Sequence, residues 1–195
     1  MMFQQKTHTI VTMNLTHQFL IAMPSLSDPN FHKTVTYVCH HDANGAMGIV
    51  LNRPLAMELG ELFTYMKIDV TDGNTKGMSV LHGGPVQTER GFVIHHPAGN
   101  WDSVLKVKDE IGITTSRDIL TAIADGNGPD KAVVALGYAG WDSGQLEKEI
   151  AENSWLSGPM DCDIMFNQPF SERWRSATQL IGIDPDKLIG SAGHS

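Results

Sequence analysis

The feature that most constrains the fold is a pair of strand-like runs joined by an Asn-Gly dipeptide. The first run, TVTYVCHH, covers residues 34–41, and the second, AMGIVLNRP, covers residues 46–54, with Asn44 and Gly45 between them. β-Branched and aromatic residues are typical of strands, and Asn-Gly favours the positive φ angles of a tight hairpin turn. The two runs are therefore predicted to form a hairpin, which requires a sheet that is at least partly antiparallel.

Strand and helix patterns alternate along the rest of the chain. Predicted strands cover residues 17–24, 78–86, 91–97, 131–141 and 161–167, with a turn at residues 87–90. The run at 131–141 is almost continuously apolar, which is typical of a strand buried on both faces. Predicted helices comprise an apolar stripe from Leu55 to Met66, residues 115–128, the segment after Trp141, and residues 172–181 with Ser171 as the cap. These elements predict a mixed α/β domain.

Composition and charge restrict the function classes. The 195 residues carry a net charge of −8 with only 14 lysines and arginines, and the sequence contains no basic run. Because nucleic-acid binding relies on clustered cations that replace phosphate counterions, direct binding of DNA or RNA is not expected. No stretch approaches the ~18 consecutive apolar residues of a membrane span. The protein is therefore expected in the cytoplasm and not in a membrane.

The N-terminal segment and the two cysteines lead to further expectations. Residues 1–12 are expected to form a disordered leader, and residues 13–195 are expected to form a single domain. Cys39 and Cys162 lie far apart in the sequence and form no Cys-x-x-Cys pair. They are predicted to be reduced thiols, as is usual for a cytosolic protein.

The segment LGYAGWDSGQLEKEIAENSW (residues 136–155) combines glycines, a serine and the start of a helix. A hydrolase nucleophile turn would need Gly-x-Ser-x-Gly, but Trp141 stands where the first glycine belongs. Asp142 is instead predicted as the N-cap of a helix, with Gln145 as its capping-box partner. Trp141 and Leu146 are spaced as a hydrophobic staple. The corner is therefore predicted to be architectural rather than catalytic.

Histidines and a cysteine raise the question of a metal site. The relevant residues are Cys39, His40, His41, His82, His95 and His96. Strand alternation predicts that Cys39 and His41 share one face while His40 faces the other. The sequence contains no His-x-x-x-His or Cys-x-x-Cys pair, so neither a metal nor another cofactor is predicted.

Polar groups follow two of the predicted strands and form the candidate binding site. Asn52 and Arg53 are suited to bind an anion, because a guanidinium forks onto a carboxylate or phosphate. Gly83 and Gly84 would let backbone amides approach a ligand closely. The alternative is that Arg53 pairs internally and that the glycines only turn the chain. The candidate site residues are Asn52, Arg53, His82, Gly83, Gly84 and Trp141, with no catalytic residue and no metal ligand assigned.

Three motifs, in order, resemble one known family. They are GAMGIVLNRP, LHGGPVQTERGFVIHH and LGYAGWDSGQLEKEIAENSWL, and the later RWRSATQLIGIDPDKL is similar to the family's C-terminal signature. Over residues 14–193 the chain resembles the YqgE/AlgH family of bacterial proteins. The resemblance implies a bacterial cytosolic protein whose bifurcated sheet curls into a pseudo-barrel with flanking helices. It implies no established enzyme activity, although one family branch is described as a transcriptional regulator of alginate synthesis and other virulence traits.

Two main functional hypotheses follow. The first is a non-enzymatic regulatory or adaptor protein that presents the candidate site to a protein partner or a small anionic ligand. The alternative is an enzyme, a hydrolase or transferase acting on a small acidic substrate. In that case Arg53 would orient the substrate, His82 would act as acid or base, and the amides of Gly83 and Gly84 would stabilise negative charge. A third option is a thiol redox sensor that relies on one of the two cysteines.

Overall fold

The computed structural model describes residues 13–191 as a mixed α/β fold. The expected leader at residues 1–12 lies outside the described residues. The strands are β1 (Gln18–Ala22), β2 (Val35–Asp42), β3 (Gly45–Val50), β4 (Pro54–Glu58), β5 (Ser79–His82), β6 (Val86–His96), β7 (Val104–Lys106), β8 (Gly112–Thr114), β9 (Lys131–Asp142) and β10 (Trp155–Pro159). The helices are α1 (Leu59–Tyr65), α2 (Arg117–Ala124), α3 (Gln145–Ala151), α4 (Cys162–Phe166), α5 (Phe170–Leu180) and α6 (Pro185–Ser191), with a 3₁₀ helix at Gly73–Thr75. Across residues 13–191, no helix is long and apolar enough to cross a membrane.

β9 is the central strand of a curled, forked sheet. The strand order is β10-β1-β2-β3-β9-β6-β8-β7, and the pairs along this path are antiparallel. β6 pairs with one edge of β9, whereas β5 and β3 pair with different parts of the other edge. Residues 134–136 pair in parallel with β5, and residues 139–142 pair antiparallel with β3. The sheet therefore forks along this edge, which is the bifurcated, partly antiparallel arrangement expected from the family resemblance.

The β2–β3 hairpin is confirmed, although its turn differs from the predicted one. Asp42 pairs with Gly45, so residues 43–44 form the two-residue connection. The positive φ angle of 137° falls on Gly45 and not on Asn44. Asn44 instead donates its backbone N–H to the Asp42 carboxylate at 2.7 Å. A side chain at Gly45 would clash with the carbonyl oxygen of Trp141, so the close approach of β9 requires glycine here.

The predicted helix from Leu55 starts later than expected, at Leu59. Leu55 and Met57 are half-buried and alternate with exposed neighbours along β4. Glu61 accepts a hydrogen bond from the Glu58 backbone N–H at 2.9 Å, which completes a capping box at the start of α1. The boundary is therefore set by the cap and not by the apolar spacing.

The predicted turn at residues 87–90 is part of β6. Its pairing with β9 shifts register between Val86 and Gly91, and Gln87 has a positive φ of 47°. A β-bulge therefore takes the place of the turn, because extra residues on one strand can bend it without ending it.

The C-terminal part differs most from the sequence prediction. The predicted strand at 161–167 is the helix α4, whose N-cap Asp161 accepts a hydrogen bond from the Ile164 N–H at 2.9 Å. A short alternating apolar run does not by itself separate strand from helix, and here the cap decides. α5 is confirmed, but Pro169 and not Ser171 is its N-cap residue. β10 and α6 lie in segments for which no element was predicted.

Helices cover both faces of the sheet. α4 and α5 pack on one face, where Trp174 joins the cluster that contains Phe92 and Ile94 of β6. α1 and α2 cover the opposite face, to which β6 contributes Val93. α3 packs in a third cluster around Trp141. The α4 and α5 helices cover only part of their face, so the region over β3, β9 and β6 remains open as a groove.

Candidate functional site

Asn52 and Arg53 hold the loop that precedes β2. The Asn52 side chain accepts a hydrogen bond from the Val35 N–H at 3.0 Å and donates to the Lys33 carbonyl at 2.9 Å. The Arg53 guanidinium donates to the carbonyl of His32. Both side chains thus form hydrogen bonds with backbone N–H and carbonyl groups of this loop, and these groups need such partners.

Gly83 and Gly84 lie beside β9 at the fork of the sheet. Gly83 donates its N–H to the Leu136 carbonyl at 2.8 Å, and its carbonyl accepts from the Val50 N–H at 2.8 Å. A side chain at Gly84, whose φ is 152°, would clash with the backbone of Tyr138. The two glycines therefore allow their own backbone to lie directly against the backbone of β9. β9 occupies the space in which a bound ligand was predicted.

His82 joins the same region. Its N–H donates to the Arg53 carbonyl at 2.7 Å, which connects the end of β5 to the start of β4. The fork cluster comprises Asn52, Arg53, His82, Gly83 and Gly84. The structure brings these five predicted residues together, whereas Trp141 lines a separate groove. Ligand binding by the fork cluster stays a prediction.

Trp141 is held by a carboxylate that also holds a second tryptophan. It is only 6% exposed, and its indole N–H donates to Glu149 Oε2 at 2.9 Å. The Trp155 indole donates to the same oxygen at 2.8 Å, and Gln145 donates to the other carboxylate oxygen at 2.8 Å. Trp141 and Leu146 pack in one core cluster, as the predicted staple requires. These contacts hold the Trp141 ring in the core cluster that contains Leu146 and Trp155.

The corner between β9 and α3 is capped differently from the prediction. Gly144, with a φ of 75°, is the N-cap, whereas Asp142 is the last residue of β9. Gln145 still accepts a hydrogen bond from the Asp142 N–H at 2.9 Å, because its side chain reaches back across the turn. Ser143 donates its hydroxyl to the Ala43 carbonyl at 2.6 Å. The serine therefore ties the corner to the β2–β3 hairpin.

The groove is an open cavity of about 730 Å³ on the curled face of the sheet. Its apolar floor comprises Met47, Val86, Phe92, Ile113 and Tyr138. Gly140, which pairs with Met47, is exposed and leaves the middle of the floor without a side chain. Leu105, on the short edge strand β7, is 46% exposed at the margin. Apolar floors with a few polar groups at the margin are typical of binding sites.

An aromatic pair and an arginine form one part of the groove. The rings of Phe92 and Tyr138 meet edge to face, with their centroids 5.7 Å apart. The Arg90 guanidinium lies 5.5 Å from the Phe92 centroid and donates to the Gln87 side chain at 3.3 Å. Among residues 13–191, no carboxylate lies within ion-pair distance of Arg90. A cation with this geometry is available to an anionic group in the groove.

A histidine–carboxylate pair forms another part of the groove. His40 Nε2 lies 3.1 Å from Asp42 Oδ2, and both side chains are about half exposed. The hydrogen bond from the Asn44 backbone N–H, reinforced by His40, lowers the pKa of Asp42. Asp42 is thus ionised near neutral pH and orients the imidazole. The Asp142 carboxylate, on the strand that pairs with Gly45, lies at the same end of the groove.

A bulge in β2 separates Cys39 from His41, which were predicted to share a face. The pairing with β3 shifts between Val38 and His40, so strand alternation does not continue through this point. Cys39 is buried in the core, whereas His41 Nε2 lies 2.9 Å from Glu147 Oε1 of α3. The predicted arrangement is therefore wrong. In the described part of the chain, no three His, Cys, Asp or Glu side chains converge so as to hold a metal ion.

The two cysteines are free thiols in different environments. Cys39 is buried, and this burial raises the pKa of its thiol well above the usual range. Cys162 is partly buried at the start of α4. Because the thiolate is the reactive form, the environment of Cys39 disfavours a role in redox sensing.

Of the residues that line the groove, only Trp141 is among the site residues predicted from the sequence. A signal was present in β9, where Tyr138, Gly140 and Asp142 alternate with the buried Ala139 and Trp141. This alternation indicates that the second half of the strand exposes one face. The first half of the strand is almost continuously apolar, so the whole strand was predicted to be buried on both faces.

A family model described as AlgH-like matches residues 19–186. The chain belongs to the AlgH-like family. A UPF0301 protein of Thioalkalivibrio sulfidiphilus is 52% identical over 182 residues, which cover 93% of this chain and 97% of that protein. A UPF0301 protein of Nitrosococcus oceani is 50% identical over 179 residues, which cover 92% of this chain and 96% of that protein.

Solved structures confirm the fold of this AlgH-like chain. The solution structure of the AlgH protein from Pseudomonas aeruginosa is 42% identical, with a TM-score of 0.77 and 100% of both chains covered. A crystal structure of a Corynebacterium diphtheriae protein is 17% identical, with a TM-score of 0.70 and 91% of each chain covered. The second likeness concerns the fold alone. The resemblance to the YqgE/AlgH family and the curled α/β fold are thereby confirmed.

Proposed function

We propose that this AlgH-like protein is a non-enzymatic adaptor that binds an extended segment of a partner protein in the groove. The observation that carries the proposal is the open, partly apolar groove, with a volume of about 730 Å³, on the curled face of the sheet. Exposed apolar surface with a polar margin is typical of protein interaction sites. Trp141, which was part of the predicted binding site, lines this surface.

Charges along the groove define the chemistry of the partner. Arg90 precedes Gly91, which pairs with Leu136, and Asp142 lies six residues further along β9. Six extended residues span about 20 Å at ~3.3 Å per residue. Asp42 adds a second carboxylate to the Asp142 end. The matching segment is extended and apolar in its middle, with an acidic residue toward Arg90 and a basic residue toward Asp142.

The proposal includes the cellular setting. The adaptor acts in the cytoplasm, and any effect on transcription passes through its protein partner. This inference is supported by the net charge of −8, which disfavours a direct contact with DNA.

A single substitution can block the groove without straining the backbone. Gly140 has no positive φ, and a Cβ there would meet only Tyr138 Cε2 at 3.4 Å and a Val86 methyl at 3.9 Å. Gly140→Leu therefore fills the floor with side-chain atoms. Gly77→Leu is the matched control, because a Cβ at Gly77 meets no atom within 4 Å and Gly77 does not line the groove.

The test is binding to an array of extended peptides that vary in charge at both ends. We expect the wild type and Gly77→Leu to select the same bipolar, apolar-centred peptides, and Gly140→Leu to lose at least about tenfold in affinity. Circular dichroism confirms that each variant is folded. Undiminished binding by a folded Gly140→Leu, or no peptide binding by the wild type, contradicts the proposal.

The His40–Asp42 pair favours a second candidate function, hydrolysis or group transfer on a small acidic substrate. A carboxylate-oriented imidazole that faces a cavity is the arrangement of a general base, and Arg90 in the same cavity suits an anionic substrate. His40 and Arg90 line one cavity, whereas the Arg53 guanidinium is engaged by the His32 carbonyl at the fork. Turnover of small anionic esters or phosphoesters that is lost in His40→Gln supports this candidate, and equal turnover in both proteins contradicts it.

A further inference from the structure

A second cavity, of about 260 Å³, lies on the face of the sheet opposite the groove. Its apolar walls comprise Leu62, Met66, Leu120, Val93, Val134 and Leu136, from α1, α2, β6 and β9. Val93 and Val134 belong to the cluster beneath α1 and α2, whereas the groove residue Phe92 belongs to the cluster on the other face. The cavity is therefore a gap between the two helices and the sheet, and Thr115 is the one residue that lines both this cavity and the groove.

β6 carries a glycine, Gly91, where it lines the gap. A Cβ built on Gly91 meets no atom within 4 Å, and Gly91 has no positive φ that would exclude a side chain. Neither backbone conformation nor crowding therefore requires glycine here. Because protein interiors are close packed, an open apolar space in a packed face is the geometry of a ligand site.

One cation lies at the mouth of the cavity. Arg117, the first residue of α2, donates to the Lys67 carbonyl at 3.0 Å. Within residues 13–191 its guanidinium has no carboxylate at ion-pair distance. Glu89 of β6 also lines the mouth, and its charge opposes the entry of a multiply charged group. The mouth therefore matches one carboxylate better than a phosphate.

We propose that this cavity binds a medium-chain fatty acid, with the alkyl chain between α1, α2 and β6 and the carboxylate on Arg117. The volume of about 260 Å³ suits a ligand of this size, since larger drug-like ligands occupy ~300–1,000 Å³. Tyr65, which is 85% exposed at the mouth, provides an apolar face beside the entering chain. This site is proposed without reliance on peptide binding in the groove.

The test uses the full chain, octanoate and calorimetric titration, with 1-octanol as the uncharged comparison. We expect saturable octanoate binding by the wild type. Gly91→Leu should weaken it by at least about tenfold, because leucine fills the cavity. Arg117→Gln should weaken octanoate but not octanol by about three- to tenfold, because only octanoate carries the charge. Gly140→Leu, which changes the groove on the other face, should bind octanoate like the wild type.

The amide spectrum of the isotopically labelled wild type supplies a readout that does not depend on any variant. Octanoate is expected to shift the amide signals of Gly91, Val93 and Leu120 and to leave those of Met47 and Gly140 unchanged. Shifts confined to the groove would overturn the proposal. So would the absence of saturable octanoate binding, or full affinity in a folded Gly91→Leu.

Discussion

The fork cluster and the groove contain similar residue types but use them in opposite ways. At the fork, the Asn52 side chain and the Arg53 guanidinium are engaged by backbone groups of the loop before β2. In the groove, Arg90 lies over an aromatic ring with no carboxylate partner among the described residues. Polar side chains at strand ends are therefore not sufficient evidence of a site. What separates the two regions is that the fork side chains hold backbone groups of the loop before β2, whereas Arg90 lines an open cavity.

The glycines of the two regions differ in the same way. A side chain at Gly84 would clash with the backbone of Tyr138, so this glycine is required by the fork. A Cβ at Gly140 would make only ordinary van der Waals contacts, so this glycine leaves accessible surface in the groove. The comparison predicts that substitutions at the fork change stability, whereas substitutions in the groove change binding.

The largest expected effect is that of Gly84→Ala. The added Cβ collides with β9, and the φ of 152° disfavours any side chain, so we expect a loss of at least about 3 kcal/mol in the free energy of unfolding. Urea denaturation measures it. Gly140→Ala is the control, with an expected change below about 1 kcal/mol. Equal unfolding free energies of Gly84→Ala and Gly140→Ala would contradict the claim that glycine is required at the fork but not in the groove.

Asn52→Ala should have the next largest effect. It leaves the Val35 N–H and the Lys33 carbonyl without their side-chain partner, which should cost about 1–3 kcal/mol in unfolding free energy. Asn44→Ala, at the groove, should change it by less than about 0.5 kcal/mol, because this side chain is exposed. Thermal and urea unfolding check both values. Loss of ligand binding without loss of stability in Asn52→Ala would instead restore the fork cluster as a binding site.

A smaller effect is the pH dependence of stability that the buried His95 contributes. Burial lowers the pKa of His95, whose Nε2 lies 2.8 Å from the Thr114 hydroxyl. The unfolded chain therefore binds a proton more readily, so stability is fully present above about pH 6.5 and falls as the pH drops below it, by at most ~1.4 kcal/mol per pH unit. Unfolding measured from pH 7.5 to 5 should show a flatter pH profile in His95→Gln than in the wild type. An unchanged profile in His95→Gln would contradict this reasoning.

The smallest expected effects on stability come from the two arginines. Arg90→Ala should leave the unfolding free energy within about 0.5 kcal/mol of the wild type, because its contacts are exposed. It should weaken binding of the selected peptides by about tenfold. Arg53→Ala should cost about 1 kcal/mol of stability and leave peptide affinity unchanged. Isothermal titration with one peptide compares the two variants, and a reversed pattern would exchange the roles of fork and groove.

Much of the fold could be predicted because its signals are local. The β2–β3 hairpin, the long strand β9 and the helix α2 follow from turn residues and apolar periodicity within one segment. The strand predicted at 161–167 failed because a five-residue helix is too short to show a period, and only the Asp161 cap distinguishes it. The fork of the sheet depends on pairings between distant segments, which no local pattern contains.

The candidate site was harder to predict than the fold. Five predicted residues do meet at the fork, because the ends of neighbouring strands lie together. Their engagement by backbone groups depends on the loop before β2, which their own sequence does not reveal. The groove is assembled from β2, β3, β6, β7, β8 and β9, and its floor requires Met47 to lie opposite Gly140. That register depends on the pairing of two strands that are distant in the sequence, so no local pattern predicts it.

The most direct test of the central claim is a titration of the isotopically labelled protein with a peptide selected by the wild type. The amide signals of Met47, Phe92, Tyr138 and Gly140 are expected to shift progressively and saturably. Those of Asn52, Arg53, Gly83 and Gly84 are expected to stay in place. Saturable shifts centred on the fork cluster, with the groove signals unchanged, would contradict the account.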